Sequence, residues 1–327
     1  MSTLTLIEAV RQALAEEMRR DESVFVLGED IGKRGGVFLA TQGLLDEFGP
    51  ERVIDTPLAE SAIAGMAMGA AMQGMRPVAE VQFADFIWPT MNQLVGEAAR
   101  ARYGTAGGVH VPMVVRSPYG GHVRGGLFHS QSVEAYFAHT PGLKVVTPST
   151  PYDAKGLLKA AIRDDDPVIF LEHKRTYRSV RGEVPDGEYV LPIGVADVKR
   201  EGVDATLVTY GLTVHYALQA AEELVGEGVQ VEVVDLRTVR PLDMDTVLAS
   251  VRKTSRALVV HEDNITGGIG AEVSARIVEG AFGDLDAPVM RCAGPDVPAM
   301  PFAPTLEAKF MPTADKIAAA LRDLLAY

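Results

Sequence analysis

One carboxylate, Glu60, stands at the head of a run of small residues: Ser61, Ala62, Ala64, Gly65, Ala67, Gly69, Ala70 and Ala71. Side chains this small let another backbone or a flat ligand come close. Pro57 has the fixed φ that suits a first helical position, and Thr56 or Asp55 can cap it. A capping box places its acid three residues after the cap, which is Ala59 counted from Thr56 and Leu58 counted from Asp55. Capping therefore does not explain Glu60. It is either an exposed acid attracted by the helix dipole or a group that handles protons.

Two further segments carry chemistry. Gly28-Glu29-Asp30 closes an apolar strand and runs into the loop Gly32–Gly36. Ligands of doubly wound sheets bind at the carboxyl ends of strands, although such acids also serve simply as loop solvation and caps. The run SPYGGHVRGGLFHSQS, Ser117 to Ser132, follows another strand and carries four glycines, two histidines and Arg124. A lone histidine is usually structural, but one on a glycine-rich loop after a strand end is better placed as an acid or base.

These residues must be held by alternating strands and helices. In the first half, strands are expected at 24–27, 78–83, 111–116, 144–147 and 168–171. Helices are expected at 4–19, 58–75, 91–103, 133–138 and 151–163. Residues 174–204 are rich in charge, Gly and Pro and read as a surface linker, with a domain boundary near 190. A second alternation follows, with strands at 205–210, 229–236, 257–261 and 289–292 and helices at 213–227, 244–251 and 270–280. The tail has prolines at 295, 298, 301, 304 and 312 and reads as an extended segment lying across a neighbouring surface. The expected fold is α/β with two doubly wound domains, residues 1–190 and 191–327.

Composition narrows the function classes. The 327 residues are 47% hydrophobic and 23% charged, as in a soluble globular protein. A net charge of −13 argues against nucleic-acid and anionic-membrane partners. Cys292 is the only cysteine, which excludes an internal disulfide and a cysteine-based zinc site and fits a reducing, cytoplasmic compartment. The N-terminus has helical apolar spacing (Leu6, Val10, Leu14, Met18) rather than a signal-peptide pattern. No apolar run approaches the ~20 residues of a membrane span.

Several motifs fail. Gly268-Ile-Gly270-Ala-Glu-Val273 lacks the third glycine of a dinucleotide fingerprint and reads as a tight helix start. Leu27 stands where a P-loop needs its first glycine. There is no H-E-x-x-H and no G-x-S-x-G.

Together, VFVLGEDIGKRGGVF, ERVIDTPLAESAIAGMAMGAAMQGMRPVAEVQFADF, the stretch from HSQSVEAYF to FLEHKR, and VEVVDLRTVRPLDMDTV resemble a known family. It is the beta subunits of the decarboxylating, thiamine diphosphate-dependent component of 2-oxo acid dehydrogenase complexes. The resemblance covers essentially the whole chain. YGGHVRGGLFHSQSVEA and GPDVPAMPFAPTLE look most like the branched-chain (2-oxoisovalerate) members, while STPYDAKGLL and VVDLRTV are shared with pyruvate-specific ones.

The resemblance implies a pyrimidine-binding domain followed by a transketolase C-terminal-like domain. It implies that Glu60 is the carboxyl beside the pyrimidine N1′, and that Glu29, Leu58, Ala59, Gln82 and Phe86 line that ring. It gives Phe83, Tyr119, Gly120, Gly121, His122 and His129 to the substrate, with His129 handling protons in acyl transfer. It implies a structural K⁺ at Met113, Ala161, Ile162, Asp164 and Asp166, a stretch that also reads as a solvated acidic turn. The G-D-G motif that holds Mg²⁺ and diphosphate in thiamine enzymes is missing, since Gly283-Asp284 is followed by Leu285. An alpha subunit is therefore expected to supply the Mg²⁺ and diphosphate half in a heterotetramer, with acyl passing to a lipoyl acyltransferase core. The rivals are a non-catalytic scaffold subunit and a stand-alone enzyme of transketolase type.

Overall fold

The computed structural model describes residues 1–327. Its Cα packing divides into two units, Met1–Tyr119 with Tyr136–Ile193, and Gly120–Ala135 with Gly194–Tyr327. In chain order the first half has β1 (Ser2–Thr5), α1 (Leu6–Arg20), β2 (Val24–Gly28), α2 (Leu44–Phe48), β3 (Val53–Asp55), α3 (Glu60–Met72) and β4 (Arg76–Glu80). It continues with α4 (Ala99–Gly104), β5 (Val114–Tyr119), α5 (Glu134–Ala138), β6 (Lys144–Val146), α6 (Pro151–Arg163), β7 (Val168–His173), α7 (Thr176–Ser179) and β8 (Arg181–Val184).

Thr5 and Glu8 close a capping box that starts α1, and its apolar face (Leu6, Val10, Leu14, Met18) is buried. That face packs with α6 residues Leu157, Leu158 and Ile162 and with the sheet residues Val24, Val78 and Val168. Strands of the first unit run in the order β6-β7-β5-β4-β2-β3, all parallel. The path from β3 through α3 to β4 passes over β2. Connections on the two sides of the β2/β4 boundary thus leave in opposite directions, which makes this the topological switch point.

The second unit has β9 (Asp197–Arg200), β10 (Ala205–Thr209), α8 (Thr213–Val225), β11 (Val231–Asp235), β12 (Thr238–Arg240), α9 (Met244–Thr254) and β13 (Ala257–Asn264). It ends with α10 (Ile269–Ala281), β14 (Met290–Gly294), α11 (Pro304–Phe310) and α12 (Ala314–Leu325). The order is β14-β13-β10-β11-β9, parallel except for the antiparallel edge strand β9. Its core joins Leu207, Val233 and Leu258 with Leu224 of α8 and Ile317 and Leu321 of α12.

Five sequence expectations are corrected. The helix expected from residue 58 starts at Glu60, with Ala59 as a cap that makes no side-chain bond. Asp55 does not cap it, because its carboxylate accepts the Gly32 N–H at 2.6 Å. The helix expected over 91–103 is π-wound at Asn92–Ala98 before α4. The tail is not extended throughout, since α12, from Ala314 onward, is an amphipathic helix whose Ala314, Ile317 and Leu321 enter the core. The stretch 174–204 is not only linker, because Tyr177 and Val184 are buried and β1 pairs with β8.

Candidate active site

The register of the first sheet brings Asp55, Gly28, Glu80 and Arg116 level with one another at the carboxyl edge. The residues assigned to the pyrimidine follow these strand ends in the chain: Glu29 after β2, Leu58, Ala59 and Glu60 after β3, and Gln82 and Phe86 after β4, across the switch point from β2. The Gln82 amide donates to the Glu29 carbonyl at 3.3 Å, tying the two loops together. Glu60 occupies the first turn of α3, where the unpaired helical N–H groups favour an anion. Neither the Glu60 nor the Glu29 carboxylate has a hydrogen-bond or ion-pair partner, and both are half-buried. Burial first, then Asp30, then Glu60 hold the Glu29 carboxyl above its ordinary pKa. The two acids thus feel one another.

Leu58 is 72% exposed. After β4 the chain turns through Ala84–Phe86, which puts Phe86 edge-on to Phe83 at 5.5 Å and Phe83 edge-on to Phe38 at 5.6 Å. The α3 face made by Ile63, Ala64, Ala67 and Ala71 is buried, while Ala62, Met66 and Gly69 are exposed. The arrangement offers two unpaired carboxylates, an amide and aromatic and aliphatic surface. It suits a flat heteroaromatic ring with a protonatable nitrogen, and the aminopyrimidine of thiamine is such a group.

Beneath this surface lies a charged network with no motif. Arg116 is buried and reaches Glu80 at 2.7 Å and Glu172 at 2.6 and 2.5 Å, and the Tyr177 hydroxyl also donates to Glu172. Burial holds the Glu80 carboxyl above its ordinary pKa, against the lowering effect of Arg116. The Gly28 position leaves no room for a side chain, because a Cβ would lie 2.7 Å from the Glu80 carbonyl oxygen. The sequence signal for this network was a charge inside each of three apolar runs, VAEV, MVVRSPY and FLEH.

The residues expected around the substrate fall into both units. Phe83 and Tyr119 belong to the first, and the Tyr119 ring is buried edge-on to His173 at 5.1 Å. Gly120, Gly121, His122 and His129 belong to the second, on one loop. His122 Nδ1 hydrogen-bonds the Tyr216 hydroxyl. Behind this loop Glu134 is fully buried and accepts from the Tyr210 hydroxyl at 2.8 Å, while its other oxygen has no partner. Burial, with Asp263 next, pushes its pKa up to about 8. Burial also pushes the His261 imidazole down to about 4. A Cβ at Gly268 or Gly270 would lie 2.6 or 2.5 Å from the His261 ring, so these glycines make room for an imidazole rather than for a nucleotide.

The residues expected as potassium ligands all fall in the first unit. Their oxygens are engaged by side-chain cations: Lys144 reaches Asp164 at 2.6 and 2.7 Å, and Arg102 reaches Asp166 at 2.9 Å. Arg76 takes the carbonyls of Ile162 and Asp164. No group of three His, Cys, Asp or Glu side chains is placed to hold a metal ion, and no helix is long and apolar enough to cross a membrane.

Comparison with known proteins agrees with this fold. Residues 2–180 match the transketolase pyrimidine binding domain and residues 194–317 the transketolase C-terminal domain. The chain is 61% identical over 324 residues to 2-oxoisovalerate dehydrogenase subunit beta of Bacillus subtilis, covering 99% of each. It is 54% identical over 296 residues to the pyruvate dehydrogenase E1 component subunit beta of the same bacterium, covering 90% of this chain and 91% of that one. Among solved structures, a split-gene transketolase described as an inactive beta4 tetramer superposes with a TM-score of 0.80 at 25% identity, covering 99% of this chain and 98% of the other. The fold, the two domain matches and the full-length identity agree: the chain belongs to the beta subunits of the thiamine diphosphate-dependent 2-oxo acid dehydrogenases, enzymes of the oxidoreductase class with a transketolase-like fold.

Proposed function

We propose that this chain is the beta subunit of a branched-chain 2-oxo acid dehydrogenase, active with an alpha subunit in a heterotetramer. When bound, thiamine diphosphate supplies a thiazolium that serves as electron sink for decarboxylation of a 2-oxo acid. Glu60 holds a proton at the pyrimidine N1′, and this is what makes the neighbouring amino group basic. Phe86, Leu58 and Ala59 give the ring its apolar bed, with Gln82 fixing the Glu29 backbone beside it. The observation that carries the reading is the pair of unpaired carboxylates, Glu60 and Glu29, at the switch point of the first sheet.

Phe83, Tyr119 and Gly120–His122 surround the substrate, and an apolar wall fits a branched side chain. The acyl group then passes to the lipoyl arm of an acyltransferase core. Its carbon would bond one lipoyl sulfur as the S–S bond breaks, the other sulfur would take a proton that His129 is assigned to deliver, and the carbon's bond to its carrier would then break as its hydroxyl loses a proton to become the thioester carbonyl. The lipoyl disulfide is the oxidant. Mg²⁺ and the diphosphate are held mainly by the alpha subunit, and the enzyme works in the cytoplasm. Potassium, if it takes the oxygens of Met113, Ala161, Ile162, Asp164 and Asp166, competes with Lys144 for Asp164.

The test is co-expression with an alpha subunit and assay of 2-oxoisovalerate against pyruvate. The assembled Glu60→Gln complex should bind thiamine diphosphate yet lose exchange of the thiazolium C2 proton by about 10²–10⁴-fold, the range of a general acid–base group. Undiminished exchange would remove Glu60 from this role. A preference for pyruvate would favour the pyruvate dehydrogenase reading, which the 54% identity to that subunit supports.

A further inference from the structure

The loop that carries His129 is closed at its base, where the Gly120 N–H donates to the Gln131 carbonyl at 3.0 Å. Left-handed residues recur at every second position along it: Gly120 (φ 86°), His122 (59°), Arg124 (58°) and Gly126 (64°). Such alternation turns backbone N–H groups to one side and makes a concave anion-binding surface. Two of these N–H groups meet carboxylates from elsewhere in the same unit. Gly121 N–H donates to Glu262, at the end of β13, and Arg124 N–H donates to Glu307 Oε1 of α11 at 3.0 Å. Both acids are buried, at 4% and 2% exposure.

His122 and Arg124 are not glycines, so their backbone conformation is strained and persists only where the surroundings impose it. The surroundings are specific. A Cβ at Gly121 would lie 2.4 Å from Met300 Cε, and one at Gly126 would lie 3.3 Å from Phe302. A Cβ at Gly125 would lie 2.5 Å from the His129 carbonyl oxygen, so the His129 backbone is seated directly on the loop. Only the short turn Gly126–Phe128 separates the Arg124 anchor region from His129.

We infer that Glu262 and Glu307 are positioning residues: they hold the glycine-rich loop from below by its N–H groups, Glu262 setting the Gly121–His122 wall and Glu307 setting His129. They touch no reacting atom and act through the loop they grip. The inference rests on the reading of His129 as the proton donor in acyl transfer.

The experiment uses the assembled alpha–beta complex and two assays, acylation of a lipoyl domain and decarboxylation of 2-oxoisovalerate coupled to an artificial dye oxidant. Glu307→Ala should cut kcat for lipoyl acylation by about tenfold or more, since small misplacements of a reacting group cost up to about 10²-fold. Its kcat in the dye assay should stay within about twofold. Glu262→Ala should lose acylation similarly and also raise KM for the 2-oxo acid in the dye assay. Glu307→Gln and Glu262→Gln should restore both, because an amide oxygen still accepts an N–H bond. Normal acylation in both alanine variants would overturn the inference. So would a proportional loss of both activities in Glu307→Ala, or glutamine variants as impaired as the alanine ones. His129→Ala is run beside them: unchanged acylation there would instead overturn the reading of His129.

Discussion

Replacing Arg116 by methionine keeps most of the side-chain length and removes the only cation between Glu80 and Glu172. Both carboxylates are buried, so two unscreened negative charges would face each other in the sheet. The variant can relieve this by keeping at least one carboxyl protonated. From the ordinary glutamate pKa of 4.5, holding one proton at pH 7.5 costs about 4 kcal/mol relative to the unfolded chain, and about a third of that at pH 5.5. The larger figure falls in the range of about 3–5 kcal/mol typical for breaking a buried ion pair.

The sign follows from proton counts. The folded variant binds a proton that the unfolded chain releases above pH 4.5, so its stability falls as pH rises. With about 2–4 °C per kcal/mol for a domain of this size, the midpoint should drop by roughly 10 °C at pH 7.5 and by a third of that at pH 5.5. Thermal unfolding of wild-type and Arg116→Met complexes, side by side at the two pH values, checks this. Equal midpoints, or a deficit that grows as pH falls, would refute the argument.

Other tests follow from the second unit and the acidic turn. The Glu134 pKa is raised from 4.5 to about 8, so this carboxyl takes stability away as pH rises through that window. Glu134→Gln should therefore gain on wild type between pH 5 and pH 9, by at most about 5 kcal/mol, read from unfolding midpoints across pH. If K⁺ displaces Lys144 from Asp164, the thermal midpoint should rise with KCl but not with equal NaCl, and Asp164→Asn should abolish the difference. Identical curves in the two salts would remove the ion.

What the sequence made legible has a physical boundary. Periodicity placed most helices because each has one buried side, as in α1, and apolar runs placed the strands that are covered on both faces, as in β2, whose five residues are all buried. Pro57 has the φ of a first helical position, yet it lies outside α3, which starts at Glu60. Asp55, the natural cap, had already been recruited by the Gly32 N–H from another loop. That bond spans 23 residues in sequence, and no local pattern encodes it.

The same reason hid the loop anchors. Glu262 and Glu307 lie 141 and 183 residues from the N–H groups they bind. The residues that face a ligand cluster along the chain near strand ends, so resemblance and motif reach them. The residues that hold those residues still come from wherever the fold brings a carboxylate under a strained turn. A family resemblance therefore proposes reacting groups sooner than it proposes the groups that would aim them. In this chain the second class includes Glu262 and Glu307, both buried carboxylates that accept from loop N–H groups.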